Sequence, residues 1–136
     1  MSDALSSKAR ALLARPVLAT LATVAADGSP QVTPLWIDVE RDELTVNTAR
    51  GRAKARNIER DRRVAVSVVD PDNAFNVVVA RGTVVEMTTE GADAHIDALA
   101  KKYLGVDAYP MRQAGEVRLK IRIRIDRIVM QPGDDA

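Results

Sequence analysis

Cysteine is absent from the 136 residues, which removes disulfides, thiolate nucleophiles and cysteine-ligated zinc or iron–sulfur centres. His95 is the only histidine, leaving no histidine cluster for a metal within one chain and little for a Ser-His-Asp or Cys-His relay. The aromatics are Trp36, Phe75, Tyr103 and Tyr109, 3% of the chain, so base stacking has scant material and nucleic-acid binding would rest on charge alone. That charge is nearly balanced, at +1. No apolar run reaches the length of a membrane span or a signal-peptide core, and the expected location is cytoplasmic. Gly-x-Gly-x-x-Gly after a strand and Gly-x-x-x-x-Gly-Lys-Ser/Thr are both missing, which removes the usual dinucleotide and P-loop signatures.

What is present is a local concentration of cations. Residues 50–63, RGRAKARNIERDRR, carry seven basic and two acidic side chains, with no acid before Glu59. The preceding Leu44-Thr45-Val46 are β-formers and the following residues favour a helix. A strand therefore feeds a helix, with Asn47 or Thr48 as expected caps. The first turn of a helix presents unpaired N–H groups and the positive end of its dipole, and Gly51 permits close approach to the backbone. The spacing predicts Arg50, Lys54 and Asn57 along one helical face and Arg52 with Arg56 on another. This is an anion cradle in residue terms; a solvated basic helix is the bland alternative.

The length suits one domain over 1–136. Residues 5–14 read as an amphipathic helix ended by Pro16, residues 17–24 as an apolar strand, and Ala26-Asp27-Gly28-Ser29 as a hairpin turn. The partner strand is expected over 31–39, with Pro34 arguing for an edge or a bulge. Further strands are expected over 44–48, 64–69, 76–86 with a bulge at Gly82, and 117–129. A helix over 89–103 buries Ala92, Ile96, Leu99 and Tyr103, with His95 as a half-exposed packing residue beside that stripe. In the last strand Val117, Leu119, Ile121, Ile123 and Ile125 alternate with Arg118, Lys120, Arg122 and Arg124. That cationic row is either solvated or near an acidic ligand tail or partner. Six strands joined by short turns favour an antiparallel barrel over a parallel sheet.

With the Asp27-Gly28-Ser29-Pro30-Gln31 hairpin, residues 47–57, Asp61-Arg62-Arg63-Val64 and Asp70-Pro71-Asp72-Asn73 in place, the chain resembles the split β-barrel flavin and deazaflavin oxidoreductases. These are relatives of pyridoxamine 5′-phosphate oxidase, and the likeness is greatest to the actinobacterial branch that uses coenzyme F420. The most specific element is Arg-x-Lys-x-x-Asn at Arg52, Lys54 and Asn57. The resemblance implies a mainly β, six-stranded antiparallel split β-barrel, homodimeric, with two cofactor sites at the interface. It implies the coenzyme phosphate at Arg52, Lys54 and Asn57, with Thr33, Pro34, Leu35 and Trp36 bordering the ring and Asn47, Thr48, Ala49 and Arg50 lining the floor. Tyr109 and Pro110 are expected at the substrate pocket, and the fifth strand and the loop around them are expected to come from the other protomer. Trp36 departs from the family, where relatives vary, and its large ring is open to stacking on the cofactor, shaping the substrate pocket or packing only, the pocket role being favoured. The reaction implied is hydride transfer between the reduced deazaflavin and an electron-poor small molecule, with no metal.

Flavin mononucleotide on the same fold is the alternative cofactor, because both carry a phosphate; the Arg-rich element and the cationic last strand favour the deazaflavin, whose tail adds carboxylates. Non-catalytic cofactor carriage is a second class, and its haem-binding form is poorly served by one helical histidine. Nucleic-acid binding by the basic helix is a third.

Overall fold

Alternation in the last strand sets the plan of the molecule. The computed structural model describes residues 4–133. Its elements are α1 (Ser7–Leu13), β1 (Ala19–Val24), β2 (Pro30–Leu35), β3 (Asp38–Glu40), β4 (Glu43–Ala49), α2 (Ala53–Arg60), β5 (Arg63–Asp70), β6 (Asn73–Thr88), α3 (Ala92–Leu104) and β7 (Arg118–Met130). Leu119, Ile121, Ile123 and Ile125 of β7 face inward at 4% exposure or less, and join Leu44, Val46, Val66, Val68, Val78 and Val84 in the core. Each such aliphatic side chain withdrawn from water contributes about 1.5–3 kcal/mol. α1 closes one end of this core with Ala9, Leu12 and Leu13. Ser6 caps it, its Oγ accepting the Ala9 N–H at 3.0 Å.

The strands form one antiparallel sheet in the order β2-β1-β5-β6-β7-β4-β3. Two expectations are corrected. The sheet has seven strands rather than six, and it is not closed into a barrel. The run expected over 31–39 divides because the chain passes from one edge of the sheet to the other: β2 pairs with β1 alone and β3 with β4 alone among the described residues. Between them, at Ile37, the backbone leaves the ladder altogether. The Ile37 N–H donates to the Tyr103 hydroxyl at 3.0 Å, and its carbonyl accepts from Lys102 Nζ at 2.7 Å. Side chains of α3 thus replace strand partners, and a buried backbone so satisfied costs little. Pro34 does lie on an edge strand, where a missing N–H is tolerated.

Gly82 marks a register shift against β7. A Cβ there would abut the Arg124 carbonyl oxygen and come within 2.7 Å of Ile123 Cγ2, so the strands approach only because the residue is glycine. At the β1–β2 hairpin, Gly28 adopts φ +86°, and Asp27 Oδ1 accepts from the Ser29 N–H at 3.0 Å.

The outer face of β2, β1, β5 and β6 is unusual for an antiparallel sheet. Val32 and Pro34, Thr20 and Ala22, Ala65, Ser67 and Val69, then Val77 and Val79 lie side by side across the registers Ala22↔Val32, Thr20↔Ser67 and Val69↔Val77. None is charged. A solvated face normally alternates polar side chains outward, and Val32 and Val69 remain 63% and 47% exposed.

Candidate functional site

The chain leaves β4 through a turn at Arg50-Gly51, with Gly51 at φ +89°. The Arg50 N–H donates to the Val117 carbonyl at 2.8 Å, tying the turn to the start of β7. α2 begins only after Arg52, which occupies the N-cap position with an extended backbone and no side-chain cap. Asn47 and Thr48 are therefore not caps; both are buried within β4. Arg50 precedes the helix, so the expected helical face shared by Arg50 and Lys54 does not exist. Without a side-chain cap, amides of the first turn are left for another acceptor.

Beside this turn lies a cavity of about 290 Å³. Of the residues singled out from sequence, Pro34, Leu35, Trp36, Asn47, Thr48, Ala49, Arg52, Lys54 and Tyr109 line it. Thr33, Arg50, Asn57 and Pro110 do not. Thr33 lies opposite the fully buried Leu21, while Arg50 and Pro110 are exposed. Asn57 is 4% exposed and committed inside the protein: its Nδ2 donates to Thr23 Oγ1 at 3.0 Å and Gln31 Oε1 at 2.7 Å, and its Oδ1 accepts from Arg60 at 2.7 Å. It braces α2 against the β1–β2 hairpin. Leu18, Ile96, Leu99, Met111 and Arg118 complete the wall. Sequence reasoning did not single these out for the site, because Ile96 and Leu99 read as core stripe and Arg118 as one member of a regular alternation. Tyr109 lines the cavity of its own chain.

Arg118 is 7% exposed. Its Nη1 donates to Glu116 Oε1 at 2.5 Å and its Nε to Asn47 Oδ1 at 2.9 Å, while the guanidinium lies 5.1 Å from the centre of the Tyr109 ring. The Arg118 hydrogen bond is the main reason the Glu116 carboxyl sits below its usual range. Arg52 and Lys54 have no hydrogen-bonding or ion-pair partner for their side chains among the described residues. Burial, then the nearby Arg52 and Arg118, push the Lys54 ammonium below its ordinary pKa. Three cations thus meet around one cavity with one carboxylate, an excess of positive charge that an anion would relieve.

The other three cations of the alternating row are spoken for. Lys120 pairs with Glu40 at 2.9 Å, Arg122 with Glu43 at 3.3 Å and Arg124 with Asp126 at 2.8 Å. The row anticipated near a ligand tail is largely self-neutralised. Across the cavity Trp36 stacks on Tyr103 with ring centres 5.1 Å apart and meets Tyr109 edge-on at 6.1 Å. Tyr103 is anchored in turn, donating to the Val17 carbonyl at 2.6 Å. Burial holds its phenol above the ordinary value, so it stays protonated. A larger cavity, of about 490 Å³, lies between α1 and the β5–β6 hairpin. Its arginine, Arg15, is already bound by Asp70 and Asp72. No cluster of metal-binding side chains occurs among the described residues.

Residues 5–129 match the pyridoxamine 5′-phosphate oxidase family. The chain belongs to that family. Solved structures agree with the membership. An F420 reductase is 32% identical, with a TM-score of 0.75 over 85% of this chain and 91% of its own. A putative pyridoxamine 5′-phosphate oxidase from Lactobacillus delbrueckii is 25% identical, with a TM-score of 0.65 over 93% and 94%. A conserved hypothetical protein from Mycobacterium tuberculosis, 22% identical, shares the fold over 99% of this chain and 93% of its own with a TM-score of 0.73. Membership of the pyridoxamine 5′-phosphate oxidase family and the likeness to an F420 reductase together support an oxidoreductase with a flavin-type cofactor. No helix among the described residues is long and apolar enough to cross a membrane.

Proposed function

We propose that this chain, as one cofactor-binding domain, is a reductase that uses the deazaflavin coenzyme F420 to transfer hydride to an electron-poor small organic acceptor. The observation that carries the reading is the pair of unpartnered cations, Arg52 and Lys54, at the uncapped start of α2 on the wall of the cavity. A phosphate there gains charge-assisted hydrogen bonds and the favourable end of the helix dipole at once. The residues fit the rest of such a group. Trp36, Leu35 and Pro34 offer a flat apolar border, and Asn47, Thr48 and Ala49 a floor built on a rigid strand. When bound, the coenzyme supplies the hydride chemistry, while the chain binds, orients and excludes water. The likeness to an F420 reductase at 32% identity favours the deazaflavin.

The site is best completed by a second copy. A cavity of about 290 Å³ falls at the lower end of the roughly 300–1,000 Å³ of small-molecule sites, so a nucleotide-sized cofactor would extend beyond it. Leu18 and Pro34 on its wall adjoin the apolar part of the outer face of β2, β1, β5 and β6. A homodimer packed on that face would bury it and roof the cofactor.

Flavin mononucleotide is the second reading, supported by the family match, and non-catalytic carriage of either cofactor is a third. Titrating the purified chain with coenzyme F420 and flavin mononucleotide side by side separates them. Micromolar or tighter deazaflavin binding, about 8 kcal/mol or more, is expected. Tight flavin mononucleotide binding with no deazaflavin binding sinks the F420 assignment, and hydride delivery from the bound cofactor to a nitro or enone acceptor separates an enzyme from a carrier. Sedimentation at micromolar concentration should give a dimer; a monomer that binds at full strength removes the shared site.

A further inference from the structure

His95 is buried, at 8% exposure, and does not line the cavity, but bonds to Asn47, which does. The Asn47 carboxamide is held on three sides. Its Nδ2 donates to the Ala92 carbonyl and to His95 Nδ1, both at 3.0 Å, and its Oδ1 accepts from Arg118 Nε at 2.9 Å. The donor–acceptor roles follow from the chain of contacts. Arg118 has only hydrogens to give, so Oδ1 must face it; Nδ2 then faces His95, whose Nδ1 must accept and whose proton sits on Nε2. That Nε2 is buried with no partner, a cost an apolar residue here would avoid. What a leucine would lack is an acceptor for Asn47.

We propose that His95 is a positioning residue: its neutral Nδ1 locks the Asn47 carboxamide, which fixes Arg118 on the cavity wall as a ready-made contact for an anionic or carbonyl edge of the cofactor. The proposal rests on the cofactor reading above for its ligand, though not for its geometry. Arg118 has donors to spare, since Nε and Nη1 are engaged and Nη2 has no partner among the described residues. If the amide were turned over, its NH2 would oppose the guanidinium and its oxygen would oppose the His95 lone pair, so both contacts fail together. The charged groups around the imidazole are Lys120 and Arg118 from β7 and Glu40 and Asp38 from β3. Burial outweighs them and brings its pKa down to about 4. The lock is therefore closed at neutral pH, and protonation of Nδ1 opens it.

Nuclear magnetic resonance on the isotope-labelled full chain tests this directly, since one histidine gives one set of imidazole signals. The expected result is the Nε2–H tautomer and a protected Arg118 Nε–H signal. That signal should fade in step with the His95 titration, be lost in His95→Leu and survive in His95→Gln, where a carbonyl can accept from Asn47. The Nδ1–H tautomer, or an Arg118 signal indifferent to His95→Leu, overturns the proposal. A second arm uses fluorescence titration with coenzyme F420 and flavin mononucleotide. His95→Leu should weaken whichever the parent binds by about three- to tenfold, yet add nothing in an Arg118→Lys background. An additive loss makes His95 merely structural and also overturns it. If the parent binds neither cofactor, the cofactor reading falls, while the resonance arm still decides the lock.

Discussion

Along β7 the cations Lys120, Arg122 and Arg124 each pair with a carboxylate, whereas at the start of α2 Arg52 and Lys54 form no ion pair among the described residues, Arg52 only lending its field to the nearby Glu116. Both regions are written as basic clusters in the sequence, and charge density alone does not tell them apart. The difference is made by β3, β4 and β6, which bring Glu40, Glu43 and Glu86 across from other strands. Paired and partly solvated, the β7 cations add little stability and attract little. Without an ion pair and crowded, Lys54 and Arg52 hold a field that Glu116 offsets only in part and that a bound anion would neutralise. Arg118 belongs to both regions, paired with Glu116 yet set in the cavity wall.

Acid is the strongest way to break the contrast, because it strips partners from the β7 side and leaves the α2 cations charged. His95 titrates near 6.5 when unfolded and at about 4 in the fold. Its folded value being the lower, the associated stability is complete above pH 6.5 and is lost as pH falls through the folded value, up to about 3 kcal/mol. Glu116, also lowered, keeps its charge until below its ordinary range, so the Arg118 pair fails later. Thermal unfolding should show this early loss in the parent and not in His95→Leu; a melting temperature flat between pH 6.5 and 5 in the parent refutes it.

Lys54→Ala sharpens the contrast at neutral pH. Cofactor affinity should drop about ten- to a hundredfold, the loss of one charge-assisted hydrogen bond. The melting temperature should hold, since alanine is a better helix former and no protein partner is abandoned. Unchanged affinity by fluorescence titration would make α2 a solvated basic helix. Arg118→Gln should cost about 3 kcal/mol in urea unfolding, because it leaves Glu116, whose side chain is only 9% exposed, as an enclosed carboxylate without its partner. It should weaken the cofactor as well, the one β7 substitution to do both. Smallest of all is Arg122→Gln, expected to cost under about 1 kcal/mol and leave affinity alone. A cofactor effect as large as that of Lys54→Ala would erase the distinction between the two regions.

Much of the fold was legible because local pattern and tertiary role agree. The β7 alternation, the apolar run of β5, the Gly82 shift and the turn at Gly28 all appear where residue chemistry puts them. The division of the 31–39 run was not legible. Nothing in Trp36 or Ile37 says that Lys102 and Tyr103, far along the chain, will take over the Ile37 backbone. The cap was misjudged for a related reason: Asn47 looks like a free capping side chain until His95, Ala92 and Arg118 claim it. Asn57 matched a phosphate motif in sequence, yet Thr23 and Gln31 absorb it. His95 was expected half-exposed and is buried, because α3 packs that edge of its apolar stripe against β4 and β7. Arg52 and Lys54 reach the cavity wall as the local charge pattern suggested, with no ion-pair partner among the described residues.

The position of β7 between β6 and β4 governs when the chain becomes a protein. Among the described residues β4 has β3 and β7 as its sheet neighbours, and β6 joins that half through β7. During synthesis on the ribosome, residues 38–49 therefore wait without a stable ladder until residues 118–130 emerge. The cavity waits with them, since Asn47 and Arg118 sit on the two strands that meet last. Such late, long-range pairing is slow and leaves apolar edges open to other chains. A nascent chain stalled before β7 is the state of this molecule most exposed to aggregation, and the one a chaperone would hold.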